Sequence, residues 1–461
     1  MSIDVTKNKI PWIVFWIYIM GFMVYAFIPA ERNAHTMQVF LGVYGIHALC
    51  GLILLRNGST FLTFPRLFSL FLFSRFAMFF MYPWLSDDVF GYLFYGKATL
   101  AGENLYALKA EDLSLTYLRD SAYALMAFKP YQNIYPPIAT IFMSISAWIS
   151  SFFPYSLQST LFVWKALLFC SECIGLALLY HWLRKYHYSL LPILLYLAIP
   201  MTAIEGIGQA HNEVLLLPFI IGSILIFHEQ VPSLQRSMMI GMLCAGLGLL
   251  KVYPIVLMIP FLMHEKHARN ILSMIFGALL ITILSSAPWF WGIVIGNYSA
   301  IHGYISVLGF YHGTYFNGVI LYGIRNILDF MQVQEWWLLA PKVLTMFRGI
   351  GVMIVSGYVY IKKKSLIESL YMILLVTVLI SAKVHPWYFI PLMFLGSIIQ
   401  KQSIAIIGSL MMFTYAMYAV DPAHESMIFE TVLWCIAGIV LILEYRKSLN
   451  IFDRNQSIIL T

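Results

Sequence analysis

The sequence predicts an all-α polytopic membrane protein, a helical bundle of about 14 spans, on three observations. Hydrophobic residues fill 61% of the 461 positions and charged residues 11%, with a mean hydropathy of +0.81. Soluble domains do not reach that balance. Apolar runs of spanning length recur along the whole chain. Lysine and arginine gather in the short turns between those runs, so the net charge of +7 reads as cytoplasmic-loop bias, and nucleic-acid binding is not implied.

The first run, Ile10 to Ala30, follows Lys7 and Lys9. It is too long for a signal-peptide core and has no convincing small-residue cleavage site, so it reads as a retained span. Spans follow at Met37 to Leu55 and Arg66 to Leu85, then at Leu157 to Leu183, Leu190 to Ile204, Val214 to His228 and Ser237 to Leu250. The later ones are Val252 to His264, Ile271 to Trp291, Trp337 to Ile361, Leu366 to Ala382, Trp387 to Ile399, Ile404 to Val420 and Ile428 to Tyr445. The run Tyr135 to Phe153, opening on Pro136-Pro137, is read differently. If it crossed, every later basic cluster would change sides.

Read as a re-entrant or surface helix, that run leaves one consistent topology. Arg56 with Arg66, Arg184 with Lys185, Arg236, Lys266 with Arg269, Lys362 to Lys364, Lys401 and Arg446-Lys447 then share the cytoplasmic side with both termini. Two large loops, 86–133 and 296–336, then lie on the extracytoplasmic face of the cytoplasmic (inner) membrane, and the active site is expected there. The chain 1–461 reads as a single transmembrane domain with no sequence repeat. The five cysteines, Cys50, Cys170, Cys173, Cys244 and Cys435, fall within spans. Their surroundings favour packing over redox or metal chemistry, despite the Cys170-Ser171-Glu172-Cys173 spacing.

The unusual polar residues fall on the outer face. Ser86-Asp87-Asp88 stands where a span ends, followed by Val89-Phe90-Gly91-Tyr92 and Gly96-Lys97. Carboxylates are costly near hydrocarbon. One acid suffices to cap a helix beginning at Asp88, so a pair suggests a general base with a supporting neighbour. The sequence leaves open which of the two is the base. Gly208-Gln209-Ala210-His211-Asn212-Glu213 supplies donors and acceptors for a sugar or a phosphate head group; against that stands a capping role for Glu213. In Lys383-Val384-His385-Pro386-Trp387-Tyr388, the two aromatic residues suit an interfacial belt. Lys383 and His385 suit an anion. Lys251-Val252-Tyr253-Pro254 breaks an apolar stretch and strands Lys251 unless it meets an anion or snorkels. Tyr304, Tyr311, His312, Tyr315, Asn317 and Arg325 populate the second loop, either as sugar-stacking groups or on an amphipathic surface helix. Lys165 and Glu172, two turns apart, share a helix face. No spacing reads as a metal site or a nucleotide phosphate loop.

These motifs, with Gly102-Glu103-Asn104-Leu105-Tyr106 and Ile134-Tyr135-Pro136-Pro137, resemble the integral-membrane glycosyltransferases of the GT-C superfamily. The likeness is greatest to the bacterial polyprenol-phosphate-mannose-dependent mannosyltransferases. The chain departs from that pattern at Gly91 (Arg in the family), Phe94-Tyr95 (Trp-Asp), Leu105 (Pro) and Glu213 (Asp). The resemblance implies a GT-C helical bundle and inverting transfer of a hexose, mannose foremost. The implied donor is a polyprenyl-phosphate sugar and the acceptor a cell-envelope glycan or glycolipid. It implies Asp88 as base with Asp87 in support. His211, Asn212, Glu213, Lys251, Lys383, His385, Trp387, Tyr388, Tyr135 and Tyr92 are the implied substrate-binding residues, with no cofactor. The rival reading is a lipid-linked sugar flippase or other polytopic transporter, which also explains many spans and broken helices.

Overall fold

The structure, a computed structural model, describes residues 9–57, 64–313, 316–419 and 427–446. Lys7, Tyr315 and Lys447, named above, lie outside the described residues. The chain is all-helical, 78% helix, and the described residues contain no strand. An isolated parallel bridge joins Phe316 and Lys383. By length and composition, six described helices can cross a membrane: Ala34–Arg56, Leu157–Lys185, Asn212–Glu229, Ala268–Ile295, Leu338–Ile361 and Gln402–Ala419. The pair Leu191–Ala198 and Pro200–Gly208, bent by 72°, would make a seventh. Ile199 is extended (ψ 115°) and Pro200 follows it, which is where the helix breaks.

Several expected spans are shorter than their apolar runs. The Arg66 to Leu85 run is helical only over Phe64–Ala77, with a 3₁₀ turn over Met78–Phe80. The Tyr135 to Phe153 run forms Pro137–Ser150, 14 residues or about 21 Å, less than the roughly 30 Å of hydrocarbon. Its start is set by Pro137 at the first helical position, where a missing N–H costs nothing. Both large loops are substantially helical. The first contains Asp88–Leu100, and the second contains Ser299–Gly313 and Val319–Phe330.

The fold divides into two compact units, 1–85 with 176–211 and 385–461, and 86–175 with 212–384. In the first unit, Arg75 is fully buried and donates to the Leu197 carbonyl (2.6 Å) and the Thr202 hydroxyl (2.6 Å). This intramembrane arginine therefore serves to close the carbonyls freed by the break at Ile199. In the second unit, Leu234–Leu250 packs closely on Ala268–Phe290: a Cβ on Gly241 would lie 1.9 Å from the Met274 carbonyl oxygen, so only glycine permits that approach. The Ala268–Ile295 helix leaves Leu272, Phe276, Leu279 and Ile283 exposed, as hydrocarbon contact requires.

Val319–Phe330 buries Leu321 and Ile324 against Ala340 and Leu344, the amphipathic form anticipated for the second loop. Cys170 and Cys435 are exposed on their helices and only Cys50 and Cys244 are buried. The packing read from the sequence thus describes Cys50 and Cys244, while Cys173 is half-buried and Cys170 and Cys435 lie on exposed helix faces. Lys165 and Glu172 are both buried, each 1% exposed.

Candidate active site

In the second unit an acid of the first large loop, Asp88, meets lysines. The Asp88–Leu100 helix starts where the sequence suggested, with Asp87 at the N-cap. The Asp87 side chain makes no capping bond; the Ser86 Oγ instead accepts the Asp88 N–H at 3.3 Å. The serine does what a capping acid would do, so neither carboxylate is needed for the helix end. Asp88 is half-buried. Lys251, Lys383 and Asp87 lie within electrostatic reach of it, and the Tyr135 hydroxyl donates to it. Burial raises the Asp88 pKa above 3.8, and the two lysines and Tyr135 oppose that shift.

Lys251 stands just past the end of Leu234–Leu250, in extended backbone (φ −146°, ψ 141°), before the 3₁₀ turn Tyr253–Leu257. This is the break expected from Pro254. Its Nζ lies 3.1 Å from the Glu213 carboxylate and 5.2 Å from the Tyr135 ring centroid. Glu213 is fully buried in the 3₁₀ turn Asn212–Leu215. It does not cap the following helix, whose N-cap is Leu215 without a side-chain bond. Glu213 thus pairs with a lysine, and the capping role is not the one observed. Tyr92 packs edge-on to Tyr135 at 4.9 Å. The neighbouring Asn212 amide, 1% exposed, has no hydrogen-bond partner at either Nδ2 or Oδ1 among the described residues. A buried amide in that state invites a polar ligand.

Lys383 is held by the second loop. The Phe316 N–H donates to the Ala382 carbonyl (3.1 Å), the Val384 N–H to the Phe316 carbonyl (2.9 Å), and Asn317 Nδ2 to the Val384 carbonyl (3.3 Å). Asn317 therefore acts on the main chain beside Lys383. Burial lowers the Lys383 pKa from 10.5 to about 7, with Asp88 opposing the shift. Lys97 is spoken for in the same loop, donating to Asp120 (2.9 Å) and the Leu118 carbonyl (3.0 Å). Gly96 beside it is required because a Cβ would lie 2.2 Å from the Met143 carbonyl oxygen.

In the first unit the remaining candidates form a ring stack. The His211 and Trp387 rings are parallel within 16° at 3.8 Å, and His385 and Trp387 within 7° at 4.1 Å. The Trp387 indole is thus stacked on both imidazoles. Tyr388 meets His385 edge-on at 5.6 Å. Trp387 Nε1 is buried without a hydrogen-bond partner among the described residues. Trp387 and Tyr388 are buried, so an interfacial-belt role does not describe them.

Three residues in this unit, Glu205, Gln209 and Ala210, were given no role from sequence. Glu205 Oε2 lies 3.4 Å from His211 Nε2, in a single π-helical turn over Ile204–Gly208. Such turns recur at functional sites. Ala210, at φ 62°, holds a left-handed conformation that an alanine adopts only under constraint. Gln209 Oε1 accepts both the Trp84 and Leu85 N–H groups, at 2.9 and 2.8 Å, fixing the main chain that leads into Ser86-Asp87-Asp88. An acid at the end of an apolar run was the available signal for Glu205. Gln209 carried none beyond its motif. Among the described residues, no group of three or more His, Cys, Asp or Glu could hold a metal ion.

An all-helical membrane chain with acids at the start of its first large loop is compatible with the GT-C class of glycosyltransferases, and the family comparison places it there. Within that class, residues 20–265 match the family model described as alpha-(1->6)-mannopyranosyltransferase, N-terminal domain (the MptA_B family). The match covers more than half of the chain, which therefore belongs to that family of mannosyltransferases. No curated protein and no solved structure matches the chain.

Proposed function

We propose that the protein transfers mannose from a polyprenyl-phosphate donor to a hydroxyl of a cell-envelope glycan or glycolipid, with inversion, and with Asp88 as general base. The observation that carries this reading is the meeting of the Asp88 carboxylate with Lys251, Lys383 and the Tyr135 hydroxyl at the mouth of the first loop. The acceptor oxygen attacks the anomeric carbon as its proton passes to Asp88. The bond to the phosphate breaks, and polyprenyl phosphate leaves with the electron pair. A phosphate leaves readily, so its developing charge needs cations rather than a strong acid, and the lysines supply them. Burial suits Asp88 to the task, because a carboxylate with a raised pKa is the stronger base. His211, Asn212, His385, Trp387, Tyr388 and Tyr92 are assigned by motif and burial to the sugar and the phosphate head. Glu213 is assigned to Lys251. The family description makes an α-(1→6) linkage the first to test.

Purified protein incubated with polyprenyl-phosphate mannose and an alkyl α-mannoside should form a new glycosidic bond. Movement of labelled lipid across the bilayer without donor consumption would favour the flippase reading instead.

The proposed topology keeps about 14 crossings, both termini cytoplasmic, and loops 86–133 and 296–336 outside the inner membrane. The reading rests on the lysine and arginine distribution, which keeps the basic clusters on one side only if the 135–153 run does not cross. Cysteines introduced into either loop should react with an impermeant maleimide on intact cells, and replacements at Lys362 to Lys364 should not. External labelling at those lysine positions would overturn the orientation.

The pH profile of kcat/KM, which reports the free enzyme, should be bell-shaped. Activity needs Asp88 ionised and Lys383 charged. The acid limb should stand above the ordinary aspartate value because burial raises Asp88. The alkaline limb should fall near pH 7, where Lys383 loses its proton. Lys383→Arg keeps its charge and should move the alkaline limb upward by a unit or more. An unmoved limb would assign it to another group.

A further inference from the structure

We infer that Tyr106 is a positioning residue: held by Asn104, Asn133 and Thr140, it fixes Tyr135 against the Asp88 carboxylate. The inference rests on the reading of Asp88 as base. It gives a purpose to the Gly102 to Tyr106 motif, which the reaction scheme does not use.

The hydrogen bonds have a direction. The Tyr106 hydroxyl donates to the Tyr135 carbonyl at 2.7 Å, which uses its only proton. Thr140 Oγ1, 2.9 Å from the same hydroxyl, is then the donor in that contact, its one proton shared with the more distant Pro136 carbonyl at 3.4 Å. Asn133 Nδ2 donates in turn to Thr140 Oγ1 at 2.9 Å. The chain runs Asn133, Thr140, Tyr106, Tyr135 carbonyl, and each link polarises the next. Asn133 Oδ1 accepts the Tyr135 N–H at 3.0 Å, so both main-chain polar groups of Tyr135 are fixed.

The lattice is anchored at its far side. The Asn133 N–H donates to the Leu105 carbonyl at 2.8 Å. Asn104 Oδ1 accepts the Tyr106 N–H at 3.1 Å, and Asn104 Nδ2 donates to the Trp289 carbonyl at 2.7 Å. Trp289, Phe290 and Tyr304 wall the Tyr106 ring at 5.0 to 5.7 Å. Tyr106, Asn133 and Thr140 are all buried, where a lost hydrogen bond is not replaced by water.

Tyr135 carries this rigidity to the chemistry. Its hydroxyl donates to Asp88, and its ring lies under Lys251 Nζ at 5.2 Å. If the main chain of Tyr135 loosens, both contacts loosen together. Asp88 then loses a donor that favours its ionised form, while Lys251, Lys383, Asp87, Glu213 and Tyr95 still face it. The consequence has a sign: the acid limb of the rate profile moves to higher pH.

The test compares Tyr106→Phe, Thr140→Val, Tyr304→Phe and Asp88→Asn in the full chain, with polyprenyl-phosphate mannose as donor and an alkyl α-mannoside as acceptor. Tyr106→Phe and Thr140→Val should each lower kcat by about tenfold to a hundredfold and shift the acid limb upward, with unchanged membrane abundance. Tyr304→Phe keeps the ring wall and should leave the acid limb at its wild-type position, whatever it does to the acceptor KM. A fall in kcat with an unmoved acid limb would show Tyr106 to be merely structural, and unchanged kinetics would remove its role altogether. Asp88→Asn separates the two levels. If that variant is inactive while Tyr106→Phe leaves the limb in place, only the positioning role falls. If Asp88→Asn is fully active, the base reading falls and takes this inference with it.

Discussion

Asp88→Asn is expected to lower mannosyl transfer by about a hundredfold to ten-thousandfold, the usual loss when a general base is removed. Abundance and fold should be retained. The substitution keeps shape, and the helix end does not depend on the carboxylate, because Ser86 accepts the Asp88 N–H. Removing the charge also removes its burial cost and its repulsion with Asp87, which offset the lost attraction of Lys251 and Lys383. Rate and stability should therefore separate. Asp87→Asn should cost less, since Asp87 acts on Asp88 through charge alone. Single-turnover rates on purified variants decide the matter. Full transfer by Asp88→Asn would move the base elsewhere, and an inactive Asp87→Asn beside it would reverse the two roles.

The helix start at Asp88 was legible because a capping serine and an acid pair at the end of an apolar run have few other uses. The break at Lys251 was legible through Pro254. The pairing of Lys251 with Glu213 was not, although both residues were marked, because 38 positions of chain separate them and no local rule joins them. The same limit hid Asn317: its motif suggested a sugar contact, and only tertiary pairing shows it holding the main chain beside Lys383. Glu205 was obscured by its setting, the first residue past the Leu190 to Ile204 run, in a π-helical turn that leaves no signature in composition. Trp387 and Tyr388 misled in the opposite sense. An aromatic pair at a span's edge looks like a belt, yet packing against imidazoles buries both. Span lengths were overestimated where apolar residues continue past the helix, as at Met81 to Leu85. Hydropathy records burial there and says nothing about backbone hydrogen bonding.

Lys251→Met is expected to fail twice, and the two failures can be separated. Methionine matches the length of the lysine stem but leaves Glu213, fully buried, without the ammonium 3.1 Å away. Stranding one partner of a buried pair costs about 3–5 kcal/mol, enough to lower membrane abundance severalfold. Loss of the charge over Tyr135 removes about 0.5–2 kcal/mol more. Adding Glu213→Gln should restore abundance, because the stranded carboxylate is gone and only a neutral amide remains to be buried. If Lys251 served structure alone, transfer would return with abundance. On the present reading it does not return: the leaving phosphate lacks one of its two lysines, so the KM for polyprenyl-phosphate mannose should stay raised and kcat depressed, with the acceptor KM little changed. Recovery of wild-type donor kinetics in the Lys251→Met/Glu213→Gln protein would reduce Lys251 to a counter-ion and return the phosphate to Lys383 alone.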